Sequence, residues 1–198
     1  MKTILLTLLL VTAAAVLPAS VKPADLIVQA DPASRTLTLR TTSGMDVPTT
    51  LKIIDENGLV LHTSQLDSGA YLSKRFQLDA LPAGKYSVVL TDVVSTTSQP
   101  IVIDHQGVFA DPALATRTYY PHVELKDDLL TVNYLNHTGR SVYIRLYDQY
   151  GQEVIADRRP GTAVVQRAYN LENLPTGEYF VMISSGDIKS HTTSLLLD

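Results

Sequence analysis

The 198-residue sequence has no cysteine and no tryptophan, only three phenylalanines, and no basic run longer than the pairs Lys74-Arg75 and Arg158-Arg159. Without cysteine, disulfides, thiolate metal sites, cysteine nucleophiles and a lipidated cysteine are all excluded, so any small domain must stand on packing alone. Without clustered Lys and Arg, and with a formal net charge of −4, phosphate neutralisation has no footprint and a nucleic-acid partner is excluded. No Gly-x-Ser-x-Gly segment and no glycine-rich phosphate loop occurs, so neither a nucleophile elbow nor a nucleotide cradle is present. After the first twenty residues there is neither a second long apolar run nor a stretch of helical period.

What is present begins with an export-like segment. Lys2 supplies a short positive start, Ile4 to Leu17 is an apolar run broken only by threonines, and small residues follow at Ala19 and Ser20. The run is shorter than the roughly 20 apolar residues needed to span a bilayer. Residues 1–20 therefore read as a cleaved signal peptide with cleavage between Ala19 and Ala24, and the mature chain as exported, with no membrane span. The expected compartment is the periplasm, the cell surface or the exterior.

The rest repeats itself. Asp55-Glu56-Asn57-Gly58 recurs as Asp148-Gln149-Tyr150-Gly151, and Leu81-Pro82-Ala83-Gly84-Lys85-Tyr86 as Leu174-Pro175-Thr176-Gly177-Glu178-Tyr179, both 93 residues on (148 − 55 and 174 − 81). The same shift carries Leu37 onto Leu130, Phe76 onto Tyr169 and Val88 onto Val181. This is a duplicated module, expected as repeat 1 over 25–104, a linker over 105–118 rich in Gly, Pro and Ala, and repeat 2 over 119–198.

Within each copy apolar residues alternate. Leu51 and Ile53, and Val142, Ile144 and Leu146, share one face of a strand with Lys52 or Arg145 between them. The Asp-x-x-Gly segments then supply a hairpin turn. Further strands are expected at Leu26–Ala30, Thr36–Arg40, Tyr71–Leu78, Lys85–Thr91 and Pro100–Asp104. In the second copy they fall at Tyr119–Leu125, Leu129–Tyr134, Val164–Leu171, Glu178–Ser184 and Thr193–Leu197. About seven short antiparallel strands per copy is the count of a β-sandwich, and the fold class is all-β.

The Leu-Pro-x-Gly-x-Tyr element resembles the corner before strand F of fibronectin type III and immunoglobulin-like domains. That resemblance implies two tandem immunoglobulin/fibronectin-III-like sandwiches, with Pro82, Gly84 and Tyr86, and Pro175, Gly177 and Tyr179, as structural corners in which the tyrosine hydroxyl bonds upstream backbone. The longer pattern, alternating apolar residues, Asp-x-x-Gly, then Leu-Pro-x-Gly-x-Tyr-x-Val, is similar to two groups of exported Bacteroidota proteins. One is the small β-sandwich family DUF3244, of unknown function. The other is the C-terminal sorting domain of type IX secretion cargo, which the second copy resembles more closely through Gly177–Ile183 and Ser185-Gly186-Asp187, although it closes on Leu195-Leu196-Leu197-Asp198 where such signals are commonly basic.

Candidate sites are few. His62, His105, His122, His137 and His191 stand singly, without metal-ligand spacing, and no cofactor is expected. Asp55, Glu56 and Asn57 lack the ordered carboxylates of a calcium loop and read as a turn. The outward face of the strand Ser141–Tyr147 carries Tyr143, Arg145 and Tyr147, two aromatics flanking a guanidinium, and is the candidate partner-binding face. The first copy has Thr50, Lys52 and Ile54 there. These residues describe a non-enzymatic, exported interaction or structural module that binds a protein or glycan at the envelope, with self-association through open edge strands as a further expectation. The alternative is a second domain that sorts the first for secretion; a carbohydrate-binding module is a more remote one.

Overall fold

The computed structural model describes residues 21–198; the expected signal peptide, 1–20, lies outside them. Sixteen strands follow one another: β1 (Leu26–Asp31), β2 (Thr36–Thr41), β3 (Thr49–Asp55), β4 (Val60–Leu66), β5 (Ser73–Gln77), β6 (Gly84–Thr91), β7 (Ser95–Asp104), β8 (Gly107–Phe109), β9 (Thr116–Tyr119), β10 (His122–Lys126), β11 (Leu129–Leu135), β12 (Val142–Asp148), β13 (Glu153–Arg159), β14 (Val164–Asn170), β15 (Gly177–Ser184) and β16 (His191–Leu197).

In the first copy β1-β2-β5 forms one sheet and β4-β3-β6-β7 the core of the other, all antiparallel; in the second, β10-β11-β14 faces β13-β12-β15-β16. Seven strands in a three-plus-four division with this order make each copy a fibronectin type III/immunoglobulin-like sandwich. The alternating apolar residues face inward and form two separate buried clusters. One is built around Leu37, Leu39, Leu51, Val88 and Ile101, the other around Leu130, Val132, Ile144, Val181 and Leu195.

The 93-residue shift is visible in the backbone itself. β3, β4 and β6 map onto β12, β13 and β15 end for end, and both copies carry a bulge at the same place, between Ile53 and Ile54 and between Leu146 and Tyr147. The last strand departs by one residue: Tyr86 pairs with Ile101 but Tyr179 pairs with Leu195, a shift of 94 (195 − 101). One extra residue before β16 is absorbed there, because each strand must still turn its apolar set inward.

Three details differ from the sequence expectations. β7 starts at Ser95, five residues earlier than expected, and contains Pro100 in its middle. The proline is tolerated because the outer edge of β7 is bonded by β9 at Ser95–Ser98 and by β8 at Val102–Asp104, leaving a gap where its missing N–H would point. Buried Gln99 fills that gap, donating from Nε2 to the Pro100 and Asp111 carbonyls at 3.0 and 2.8 Å. The expected strand Tyr119–Leu125 is divided at Pro121 into β9, which belongs to the first copy's sheet, and β10, which belongs to the second's.

Residues 105–118, expected as a linker, are therefore tied down. Besides β8 and β9 they hold a 3-10 turn, Pro112–Leu114, capped by the Asp111 carboxylate. Arg117 on β9 donates to Thr97 Oγ1 at 2.9 Å and to the Ala24 carbonyl at 2.9 Å. Gly107 sits so close to Pro32 that a Cβ would fall 2.3 Å from its carbonyl oxygen, and its φ is +141°; only glycine lets β8 pass there.

Candidate interaction face of the second sandwich

The repeated motifs build framework in both copies. Asp55 Oδ1 accepts from the amides of Asn57 and Leu59 at 2.9 and 2.8 Å, and Asp148 Oδ1 from those of Tyr150 and Gln152 at 2.9 and 2.8 Å, while Gly58 and Gly151 take φ of +84° and +79°. A carboxylate oxygen committed to two backbone donors is a turn device. At the corners, Tyr86 Oη donates to the Pro82 carbonyl at 2.9 Å and Tyr179 Oη to the Pro175 carbonyl at 2.7 Å, with both rings buried. Gly84 and Gly177 open the strands that carry them.

What differs between the copies lies on the outward face and the margins of the larger sheet. On β12, Arg145 Cζ lies 6.0 Å from the Tyr143 ring centroid and Arg158 Cζ, from β13, 5.6 Å, so the Tyr143 ring has two guanidinium groups near it. Arg145 Nε approaches Glu153 Oε2 at 3.5 Å and Tyr147 Oη donates to the same oxygen at 3.3 Å. Tyr143, Arg145 and Tyr147 are thus brought together on one face. Two residues not singled out from the sequence join them: Phe180 pairs with Tyr147 and Met182 with Arg145, both half-buried on the outward side of β15. Their signal was the period of two in Glu178–Ser184, which puts Phe180 and Met182 opposite the inward Tyr179, Val181 and Ile183. The equivalent residues of the first copy are Thr50, Lys52, Ile54, Ser87 and Val89, with no aromatic ring among them.

The seam between β13 and β14 also differs between the copies. Asp157 Oδ2 accepts from Tyr169 Oη at 2.7 Å, Arg159 Nη2 at 2.8 Å and Arg167 Nε at 3.3 Å. Burial works against the ionised carboxylate, but the Tyr169 hydroxyl and the two arginines outweigh it and hold Asp157 below the ordinary carboxylate range. Burial, then the hydrogen bond and charge of Asp157, push the Tyr169 phenol up to about 12. The first copy has Ser64, Leu66, Lys74 and Phe76 at these places, and its seam is instead a Lys74 Nζ to His62 Nε2 contact at 3.2 Å beside the Phe76 ring. Burial first, and Lys74 second, lower the His62 pKa.

A cleft of about 240 Å³ lies where the β12–β13 turn meets the corner, lined by Asp148, Tyr150, Val154, Pro175 and Glu178 among others. Among the described residues no group of three or more His, Asp or Glu has the placement of a metal site, and no helix is long and apolar enough to cross a membrane.

A family model described as a secretion system C-terminal sorting domain matches residues 126–197, from the end of β10 to the end of β16. No curated protein matches the chain. Solved structures similar to it include a BSP domain of a biofilm associated protein, at 15% identity over 86% of this chain and 29% of that one, TM-score 0.30. A two-domain fibronectin type III segment of chicken tenascin matches at 16% identity over 89% of this chain and 98% of that one, TM-score 0.30. The FN1-FN3 domains of chicken CNTN1 match at 12% identity over 83% and 60%, TM-score 0.29. The chain spans less than a third of the biofilm-associated structure.

Proposed function

We propose that the second sandwich is a sorting domain that directs export of the first, and that the first is a non-enzymatic binding module delivered to the cell envelope. The observation that carries this reading is the sorting-domain match at 126–197, which falls on the second copy, the one with the aromatic outward face, and omits the first. The type IX route, and an origin among the Bacteroidota envelope proteins that the motif pattern resembles, belong to the same reading. The face of Tyr143, Arg145, Tyr147, Phe180 and Met182 is the docking surface for the export apparatus or an envelope partner, because rigid aromatics beside arginine give large contact area at little entropic cost. Deleting 121–198, which leaves β9 intact, tests the division of labour. Fractionation of cells expressing the full and shortened chains should show the shortened chain retained in the periplasm, and unchanged localisation would end the proposal.

A second reading keeps the same face but gives it a glycan, since Tyr143 and Tyr147 offer stacking surfaces flanked by Arg145 and Glu153. A glycan array probed with the protein and with Tyr143→Ala and Tyr147→Ala separates the two. Capture lost in the variants favours the sugar, and absence of any capture removes it.

A further inference from the structure

The two copies treat the same sheet edge in opposite ways. In the first, the outer edge of β7 is covered along most of its length by β9 and β8, both antiparallel. In the second, β16 occupies the equivalent position, and among the described residues nothing pairs with its outer edge. An uncovered strand presents a row of unpaired N–H and C=O groups, and edges are ordinarily protected by charge, proline or a cover. The second copy's other edges follow that rule: β10 carries Glu124 and Lys126, β13 Glu153, Asp157, Arg158 and Arg159, and β14 Arg167. β16 reads His-Thr-Thr-Ser-Leu-Leu-Leu, with neither a carboxylate, Lys, Arg nor Pro, and its outward Leu196 is 68% exposed.

We propose that β16 pairs with β16 of a second copy of this chain, antiparallel about a two-fold axis at Ser194. The register follows from the side chains. Outward residues must meet outward residues, and centring on Ser194 overlaps all seven residues of the strand, setting Thr192 against Leu196 and Thr193 against Leu195. No like charges oppose one another. At the strand's end Asp127, Asp128 and Asp198 gather around Leu197, and the same register sets Asp198 opposite Ser190 of the second copy, beside its Lys189, so the acidic end of one strand meets the basic end of the other. Ser194 needs no rearrangement, since its hydroxyl lies along the sheet, donating to Glu178 Oε1 at 2.8 Å. A closed two-fold pair joins two four-stranded sheets into one of eight. β4 is another uncharged edge, but pairing it with β16 is heterologous and propagates without closing.

The inference does not depend on the sorting role. Sedimentation equilibrium of the purified protein across the micromolar range should show a monomer–dimer equilibrium. Ser194→Lys, or Thr192→Lys should the first fold poorly, should raise the dimer dissociation constant about tenfold or more. Because the chain has no cysteine, Ser194→Cys is a unique reporter: mild oxidation should give a disulfide-linked dimer, and Thr63→Cys on β4 should not. A protein monomeric throughout, a dimer untouched by both lysines, or mixtures of the two cysteine variants that cross-link to each other in preference to themselves would overturn it.

Discussion

The first sandwich covers the last strand of its larger sheet and the second leaves it bare. β7 is covered by strands from the segment that follows it, whereas β16 is bare, and the aromatic outward face lies on the sheet that has the bare edge. Both copies share the alternating inward pattern, the bulge, the turn and the corner, and they differ on the outward face, at the β13–β14 seam and in the loop that holds Asn136. The difference teaches where function is to be sought: in the positions that the shared fold does not need.

The comparison breaks most readily at the cover and the loops. Gly107→Ala should cost about 3 kcal/mol in chemical denaturation, because β8 must leave Pro32, and the loss should fall on the first sandwich alone. Asn136 is fully buried, with Nδ2 donating to the Arg140 and Thr162 carbonyls at 2.7 Å each; its counterpart Ser43 is exposed, and the first copy packs Met45 in that loop instead. Asn136→Ala should therefore cost about 2–3 kcal/mol in the same assay and Ser43→Ala almost nothing. Tyr86→Phe and Tyr179→Phe should lose about 1 kcal/mol each, since the two corners are the same bond. Unequal losses would show that the corners are not equivalent.

The pH dependence should separate the copies more finely. Folded Tyr169 keeps its proton up to about 12, whereas an unfolded tyrosine loses it near 10, so the second sandwich loses stability as pH rises through that interval. Phe76 holds the equivalent place in the first copy. Asp157, held below its ordinary range, contributes stability at neutral pH that disappears as the solution is acidified through and below about pH 4. In urea denaturation at pH 7 and pH 11, Tyr169→Phe should remove this residue's share of the alkaline loss; an unchanged pH difference would contradict the role given to the seam.

The fold was legible because a strand's period and a turn's glycine are local. The alternation in Val142–Leu146 and the Pro-x-Gly-x-Tyr corner each need only a few neighbouring residues to be read, and the offset of 93 follows from the recurrence of such short motifs. β8 and β9 were not legible, since Gly107–Phe109 and Thr116–Tyr119 are short and become strands only through β7, a partner that the Gly, Pro and Ala residues around them do not announce. Pro100 hid the first half of β7 for the same reason. Of the candidate face, Tyr143, Arg145 and Tyr147 share one strand and were readable, while Phe180 and Met182 arrive by cross-strand pairing. The Asp157 seam joins residues from two strands of different sheets, a convergence that spacing alone does not reveal.

The central claim is that two copies of one sandwich divide the labour of cargo and address. Attaching residues 121–198 to an inert reporter, and residues 21–120 to the same reporter, each fusion behind residues 1–20, in a host with type IX-type secretion tests it most directly. Surface delivery of the first fusion and retention of the second is the outcome predicted. Delivery by both, or by the first copy alone, would contradict it.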